Sequence, residues 1–292
     1  MQRLITGKTK LLGVIGHPVE HSLSPLMHNA ALEYLGLDYV YLPFPINPEK
    51  LSAAIPGFSA IGVVGFSVTI PHKQAIMDCL SAIHPIAKSV GAVNTVLRKD
   101  NRWIGTNTDI EGFIYPLEAT YRRNWRQTVA VILGNGGAAR AVLAGCVQLG
   151  CAEIHVVGRN IQKLGEFRDT WDNLPQGVNL HIHTWDNLSR LIPQANLLVN
   201  TTPMGMHPNI QESPLSAEDM RDLPYGAIAY DLIYNPSPTR FLQQARQQGA
   251  IAIDGLEMLV QQGAAALRIW LDSESVPVDI MRQALRNHLG WR

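Results

Sequence analysis

Charge is scarce in this chain, and what there is cancels. Only 16% of its 292 residues are Asp, Glu, Lys or Arg, and 24 basic side chains balance 24 acidic ones. Nucleic-acid binders carry a basic excess or a basic stripe, and neither is present, so no nucleic-acid partner is expected. Affinity for an anion must come from a few placed groups. Cysteine is rare too: Cys79, Cys146 and Cys151 fit neither a disulfide framework nor a zinc spacing. Cys146 and Cys151 flank an expected helix end and read as small buried residues. No stretch approaches the roughly 18 apolar residues of a membrane span, so no membrane partner is expected. The apolar run Leu11–Gly16 is too short for a signal-peptide core. A cytoplasmic location is expected, which leaves the sequon at Asn200 without a use. Internal repeats and low-complexity segments are absent as well.

What is present is an ordinary globular balance, 46% apolar, in a length that suggests two domains at about 150 residues each. Short apolar runs alternate with helical patterns, which predicts α/β architecture with parallel strands. Strands are expected at Leu11–Gly16, Tyr39–Phe44 and Ile61–Thr69. Ala92–Arg98 and Trp103–Thr106 read as a hairpin around Asp100-Asn101. A helix is expected over Leu26–Leu35, closed by Gly36, and another opening at Pro71. Tyr121–Arg126 reads as a linker. The pattern then restarts, with strands at Thr128–Leu133, Glu153–Val157, Leu180–His183, Leu197–Asn200, Ala227–Asp231 and Ala250–Asp254. Helices are expected before Gly150 and over Thr239–Gln248, Leu256–Leu271 and Val278–Leu289.

Between the strand ending at Leu133 and the helix that follows lies Gly134-Asn135-Gly136-Gly137-Ala138-Ala139, a G-x-G-x-x-A fingerprint. The first glycine permits a tight turn, the second lets backbone approach a pyrophosphate, and a small third residue allows close helix–strand packing. The pyrophosphate would meet unpaired N–H groups and the positive dipole end. An NAD site expects an acid about 20 residues on, at the end of the second strand. Here that strand runs into Gly158-Arg159-Asn160, with Lys163 beyond. A guanidinium grips a 2′-phosphate that a carboxylate would repel, so NADP is preferred over NAD. The plainer alternative makes Arg159 and Lys163 a solvated helix start, although cations are disfavoured there unless they meet an anion.

Polar residues also cluster at strand ends in the first part of the chain. Ser22 and Ser24 share one side of an extended loop before Pro25, which suits a small carboxylate; Ser24 alone reads equally well as an N-cap. Thr69 and Lys73 follow a strand, at the carboxyl end where open α/β sheets bind ligands. Asn94 and Asn107-Thr-Asp109 lie at other strand ends, where Asn107 and Asp109 double as turn formers. A carboxylate near a lysine can hold it, orient it and help carry a proton. His17-Pro-Val-Glu-His21 matches H-x-x-E-H, but Pro18 argues against the helix that a metal site of this type needs, and no metal is expected.

Seven segments, in order, resemble the shikimate dehydrogenase family: Ser-Leu-Ser-Pro, Val-Thr-Ile-Pro-His-Lys, Gly-Ala-Val-Asn-Thr, Gly-Thr-Asn-Thr-Asp, Gly-Asn-Gly-Gly-Ala, Tyr-Asp-Leu-Ile-Tyr-Asn-Pro and Gly-Leu-Glu-Met-Leu-Val-Gln-Gln-Gly-Ala. The resemblance spans essentially the whole chain. It implies reversible NADPH-dependent reduction of 3-dehydroshikimate to shikimate, in the pathway of aromatic amino-acid biosynthesis. It also implies a substrate domain from residues 1–109 and 256–292, with a mostly parallel sheet. A Rossmann-like, doubly wound NADP domain would fill 110–255, with a cleft between the two. Carried over by motif, Ser22 and Ser24 would bind the substrate carboxylate, and Thr69, Asn94, Asp109 and Gln262 the ring hydroxyls. Lys73 would be the catalytic lysine, partnered by Asp109, and Tyr234 a substrate-side tyrosine. Gly134, Asn135, Gly136, Gly137, Ala138, Gly158, Arg159, Asn160, Lys163, Leu232 and Gly255 would line the cofactor, Gly255 at its nicotinamide end. Ser67 and Gly158 stand where many members have asparagine. The sequence leaves open whether quinate is also a substrate, whether the chain is a monomer or a homodimer, and which of Lys73 and Asp109 holds the proton. A cofactor-sensing regulator without turnover is the rival from another class, and it would not need Lys73, Asn94, Asp109 and Gln262 together.

Overall fold

A computed structural model describes residues 5–121, 124–171 and 178–291. The chain divides into two compact units, residues 1–112 with 260–292, and residues 113–259. The first limit falls inside helix Asp109–Thr120 rather than at the linker expected over 121–126, of which Arg122 and Arg123 lie outside the described residues.

The first unit is built on strands β1 (Lys10–Gly16), β2 (Tyr39–Pro45), β3 (Val63–Val68), β4 (Ala82–Ile83), β5 (Thr95–Lys99) and β6 (Arg102–Thr106), in the order β2-β1-β3-β5-β6-β4. The pairings β1–β2, β1–β3 and β4–β6 are parallel; β3–β5 and β5–β6 are antiparallel. The hairpin turn forms as expected, with Asp100 and Asn101 at φ 50° and 60°. Positive φ at both central residues matches the twist of the flanking strands, and Asn and Asp tolerate it. Because β5 alone runs against β1, β3 and β6, the residues after β1, after β3, before β5 and after β6 all gather at one end of the sheet. Ile15, Val63, Phe66, Val93 and Val96 are fully buried in its core, with helix Leu51–Ala60 packed on them through Leu51, Ile55 and Phe58.

That helix and Asp109–Thr120 are additional to those expected from sequence. Each carries an internal proline, Pro56 and Pro116, which removes a backbone donor. The buried face of Leu51–Ala60 compensates at roughly 1.5–3 kcal/mol per large apolar side chain. Conversely, Pro71 opens no α-helix: residues 71–74 form turns that lead into a short 3-10 helix, Ala75–Cys79. The strand before it ends at Val68, and β5 begins at Thr95 rather than Ala92. Residues 17–23 also form no helix, so His17 and His21 do not share a helical face.

The second unit has six parallel strands: β7 (Val129–Leu133), β8 (Glu153–Gly158), β9 (Asn179–Thr184), β10 (Leu197–Asn200), β11 (Ile228–Asp231) and β12 (Ile251–Ile253). Their order, β12-β11-β10-β7-β8-β9, is the doubly wound arrangement with its switch point between β7 and β10. Strands covered on both faces are mostly apolar, and every residue of β10 and β11 is buried, the polar Asn200 and Asp231 at their ends included. Helix Gly137–Leu149 ends where Gly150 turns left-handed at φ 79°. Among the described residues no helix is long and apolar enough to cross a membrane.

Candidate active site

In the first unit, the turn after β3 is pinned by backbone: Thr69 N–H donates to Ile15 O at 2.9 Å, and His72 N–H to Thr69 O at 2.9 Å. His72 is buried, its Nε2 lying 2.7 Å from Ile46 O, and the Lys73 carbonyl accepts from Val93 N at 2.8 Å. These bonds fix the base of Lys73 and send its side chain toward Asp109, the first residue of helix Asp109–Thr120. Lys73 Nζ donates to Asp109 Oδ2 at 2.6 Å, with side-chain exposures of 16% and 6%. An ammonium–carboxylate pair this withdrawn from water is stabilised only when its remaining valences are met. Asn94 meets them: its Nδ2 donates to Asp109 Oδ1 at 2.8 Å and to Thr108 Oγ1 at 2.9 Å, with Gln262 Oε1 at 3.4 Å. Its Oδ1 accepts from Thr108 N at 2.7 Å and from Thr95 Oγ1 at 3.0 Å. Asn107 closes the bracket as a turn former, its Oδ1 accepting from Asp109 N at 3.0 Å and its Nδ2 donating to Ala92 O at 2.9 Å. The helix start adds its positive dipole end to the Asp109 carboxylate.

Ser22 and Ser24 follow β1, at the same end of the sheet. Ser24 is the first residue of helix Ser24–Tyr34, and the preceding Leu23 makes no side-chain cap, so Ser24 does not act as the N-cap. Ser22 Oγ accepts from Ser24 N at 3.3 Å. Thus Lys73, Asn94, Asp109 and Gln262 are joined in one hydrogen-bonded web, with Thr69 and Ser22 on the loops and Ser24 at the helix start at that end.

In the second unit, Gly134 adopts φ 111°, and a Cβ there would lie 2.5 Å from Thr201 Oγ1. Gly136 precedes the helix with nothing within 4 Å of a Cβ position, so the approach to the first helical N–H groups is open. The 13-residue helix begins at Gly137-Ala138 with no acidic residue in its first turn, and Ala139 is fully buried. Asn135 Nδ2 is buried without a partner. At the end of β8, Arg159 and Lys163 are exposed, and Asn160 caps helix Ile161–Asp169, its Oδ1 accepting from Lys163 N at 3.1 Å. An open cradle of helix amides beside two cations fits a dinucleotide bearing an extra phosphate. On the other side of the switch point, Gly255 N donates to Ile233 O at 3.1 Å, and a Cβ on Gly255 would lie 2.0 Å from Leu232 O. Tyr234, in the same turn, is half-buried.

Two sequence-family models match the chain: the shikimate dehydrogenase substrate binding domain over residues 14–96, and the shikimate 5′-dehydrogenase C-terminal domain over residues 255–286. The NADP(+) shikimate dehydrogenase of Trichormus variabilis is 71% identical over 287 residues, 98% of this chain and 99% of its own. The chain belongs to the shikimate dehydrogenase family. Solved family structures share its fold. A shikimate dehydrogenase in complex with NADP+ is 38% identical, with TM-score 0.87 over 98% of each chain. The shikimate 5-dehydrogenase of Thermus thermophilus, in complex with NADP(H) and shikimate, is 35% identical, with TM-score 0.83 over 96% of this chain and 99% of its own.

For a member of this family, several structurally engaged residues escaped sequence reasoning. Thr95 and Thr108 both bond the Asn94 side chain; they lie in the family segments Gly-Ala-Val-Asn-Thr and Gly-Thr-Asn-Thr-Asp, but a threonine's residue type alone assigns it no role. Thr201 donates to Leu133 O at 2.7 Å, directly before the Gly134 turn. Asp231 is a fully buried carboxylate ending an apolar strand, a contrast visible in Ile228-Ala-Tyr-Asp231. Burial pushes its pKa up to about 7, against the lowering effect of hydrogen bonds from Thr239, Ile233 and Asn200. Of the two departures from the shikimate dehydrogenase pattern, Gly158 has a local reason. A Cβ there would lie 2.8 Å from the buried Leu164 and 3.3 Å from Asn135 Cγ. Ser67 is buried in β3 between Val14 and Thr95.

Proposed function

We propose that the chain is an NADP-dependent shikimate dehydrogenase whose substrate is turned over at the Lys73–Asp109 pair. The observation that carries this is the 2.6 Å contact between Nζ and Oδ2, held in a buried web with Asn94 and joined by Gln262. A structural ion pair needs neither an amide that satisfies its second carboxylate oxygen nor a glutamine from a distant helix reaching the same amide.

NADPH supplies the hydride when bound. Gly134 to Ala138 would receive its pyrophosphate, Arg159 and Lys163 its 2′-phosphate, and Leu232 and Gly255 its nicotinamide end. In the first unit, Ser22 and Ser24 anchor the substrate carboxylate, while Thr69, Asn94 and Gln262 orient the ring hydroxyls; Tyr234 is the substrate-side tyrosine by family resemblance. Reduction of the ketone consumes one hydride and one proton. Lys73 Nζ, as the ammonium, gives its proton to the carbonyl oxygen as that oxygen gains charge. Asp109 Oδ2 holds Nζ at 2.6 Å and aims it at that oxygen. In oxidation the amine takes the proton back from the 3-hydroxyl.

The test is NADPH oxidation followed by absorbance with 3-dehydroshikimate, beside an NADH control and, in reverse, shikimate and quinate with NADP+. Turnover with 3-dehydroshikimate and a strong NADPH preference is expected. Tight NADP+ binding without any turnover would overturn the reading in favour of a cofactor sensor.

A further inference from the structure

Asp231 has no part in the reaction just described, yet it is a fully buried carboxylate held by three hydrogen bonds. Its Oδ1 accepts from Asn200 Nδ2 at 3.0 Å and from Ile233 N at 3.1 Å, and its Oδ2 accepts from Thr239 Oγ1 at 2.6 Å. Asn200 ends β10, directly beside Asp231 in the sheet register, and its Oδ1 accepts from Thr202 N at 3.0 Å and Thr202 Oγ1 at 2.7 Å. Thr201 in turn donates to Leu133 O, the residue before Gly134. One buried carboxylate therefore ties the end of β10, through Asn200, to the turn that follows β11. No cation meets it among these contacts, and desolvating a carboxylate on hydrogen bonds alone is costly, so stability by itself is a poor reason for its presence.

What the carboxylate holds is specific. The turn Leu232–Tyr234 leaves β11 and passes so close to Gly255 that no side chain fits between Gly255 and Leu232 O. Ile233 is gripped on both sides, its N–H by Asp231 and its carbonyl by Gly255 N. On the cofactor reading proposed above, on which this inference rests, Leu232 and Gly255 are the residues that meet the nicotinamide end.

We infer that Asp231 is a positioning residue for hydride transfer: through Asn200, Ile233 and Thr239 it holds the Leu232–Tyr234 turn against Gly255. The anion accepts all three bonds; a protonated carboxyl gives up an acceptor position and loosens the turn. The other charged group acting on it is Asp254, which follows β12 and raises its pKa further. Asp254 is itself held by Ser237 Oγ at 2.6 Å and Leu256 N at 3.0 Å.

The experiment uses the full chain with Asp231→Asn and Asp231→Ala. It measures kcat and KM for NADPH with 3-dehydroshikimate, and equilibrium binding of adenosine 2′,5′-bisphosphate, which carries the phosphates without the nicotinamide. In Asp231→Ala, kcat should fall about 10–10²-fold, the scale of a misplaced reacting group, while bisphosphate affinity stays within about twofold. Asp231→Asn should fall less, and the acid-side decline in kcat expected of the wild type from the raised pKa of Asp231 should be absent from it. Equal losses in kcat and bisphosphate affinity, or kcat within about twofold of wild type, would overturn the inference. If the alanine variant does not fold, Asp231→Asn decides alone: retention of the wild-type inflection near neutral pH overturns it. An inactive wild type overturns the underlying reading and this inference with it, whereas an active wild type with unaltered variants overturns this inference only.

Discussion

At the residue scale, the site is defined by which side chains surrender water to reach one another. Lys73 is 16% exposed and Asp109 6%, so their contact sits largely outside solvent screening. Replacing Lys73 with alanine removes the proposed proton donor and strands a buried carboxylate. We expect kcat to fall about 10²–10⁴-fold with KM little changed, because the lost interaction is made mainly in the transition state. Steady-state kinetics at pH 7 check this, and a variant keeping half the wild-type kcat would remove Lys73 from the mechanism. Arg159 poses a different question, being exposed directly after β8 with no ion pair among the described residues. Arg159→Ala should raise the Kd for NADP+ about tenfold or more and leave that for NAD+ nearly unchanged. Equal losses for both cofactors would place the 2′-phosphate elsewhere.

At the scale of elements, local rules account for most strands and fail where burial overrides them. Helices Leu256–Leu271 and Val278–Leu289, and strand Leu197–Asn200, were legible to the residue because an apolar period and clear end signals coincide there. Leu51–Ala60 and Asp109–Thr120 were not, since an internal proline obscures the period. The helix anticipated after Pro71 is absent because the backbone of residues 69–73 is committed to Ile15 and Val93 across the sheet, which leaves only tight turns. Glycine effects separate the same way. Gly150 closes helix Gly137–Leu149 at φ 79°, and a Cβ there would meet nothing nearer than Arg126 Cγ at 3.9 Å. Gly150→Ala should therefore cost only the backbone term, about 1 kcal/mol in chemical denaturation. Gly255→Ala, facing Leu232 O at 2.0 Å, should cost several times more, and equal costs would contradict the close approach.

Across the whole molecule, buried titratable groups set how stability varies with pH, and they pull in opposite directions. His28 is fully buried, stacked on Tyr41 at 4.3 Å between centroids, with neither ring nitrogen hydrogen-bonded. Burial lowers its pKa from 6.5 to about 3. The unfolded chain therefore takes up a proton below pH 6.5 that the folded state refuses until about pH 3. Stability is full above 6.5 and declines as pH falls toward 3, by up to about 5 kcal/mol at 1.36 per pH unit. Burial lowers the pKa of His155 and of His183 as well, in the same direction. Asp231 acts oppositely: its folded pKa is raised to about 7 from 3.8, so its contribution declines as pH rises through that window. His28→Leu should flatten the acid limb, its urea midpoint dropping less between pH 7.5 and pH 4 than that of wild type. Parallel curves for the two proteins would mean that His28 already finds a proton or a partner.

By itself, the order of residues determined the α/β alternation, the glycine turn before helix Gly137–Leu149, the cations after β8 and the resemblance that names the family. All of these are written in local period, in short spacing and in residue type. Only the tertiary structure decided that Asn94 bridges Asp109 and Gln262, partners 15 and 168 positions away, and that Asp231 is buried where the end of β10 meets the turn after β11. The physical reason is range. Periodicity and capping act within a few residues, whereas a hydrogen-bond partner is chosen by sheet register and by the exclusion of water, which exist only once distant segments have packed.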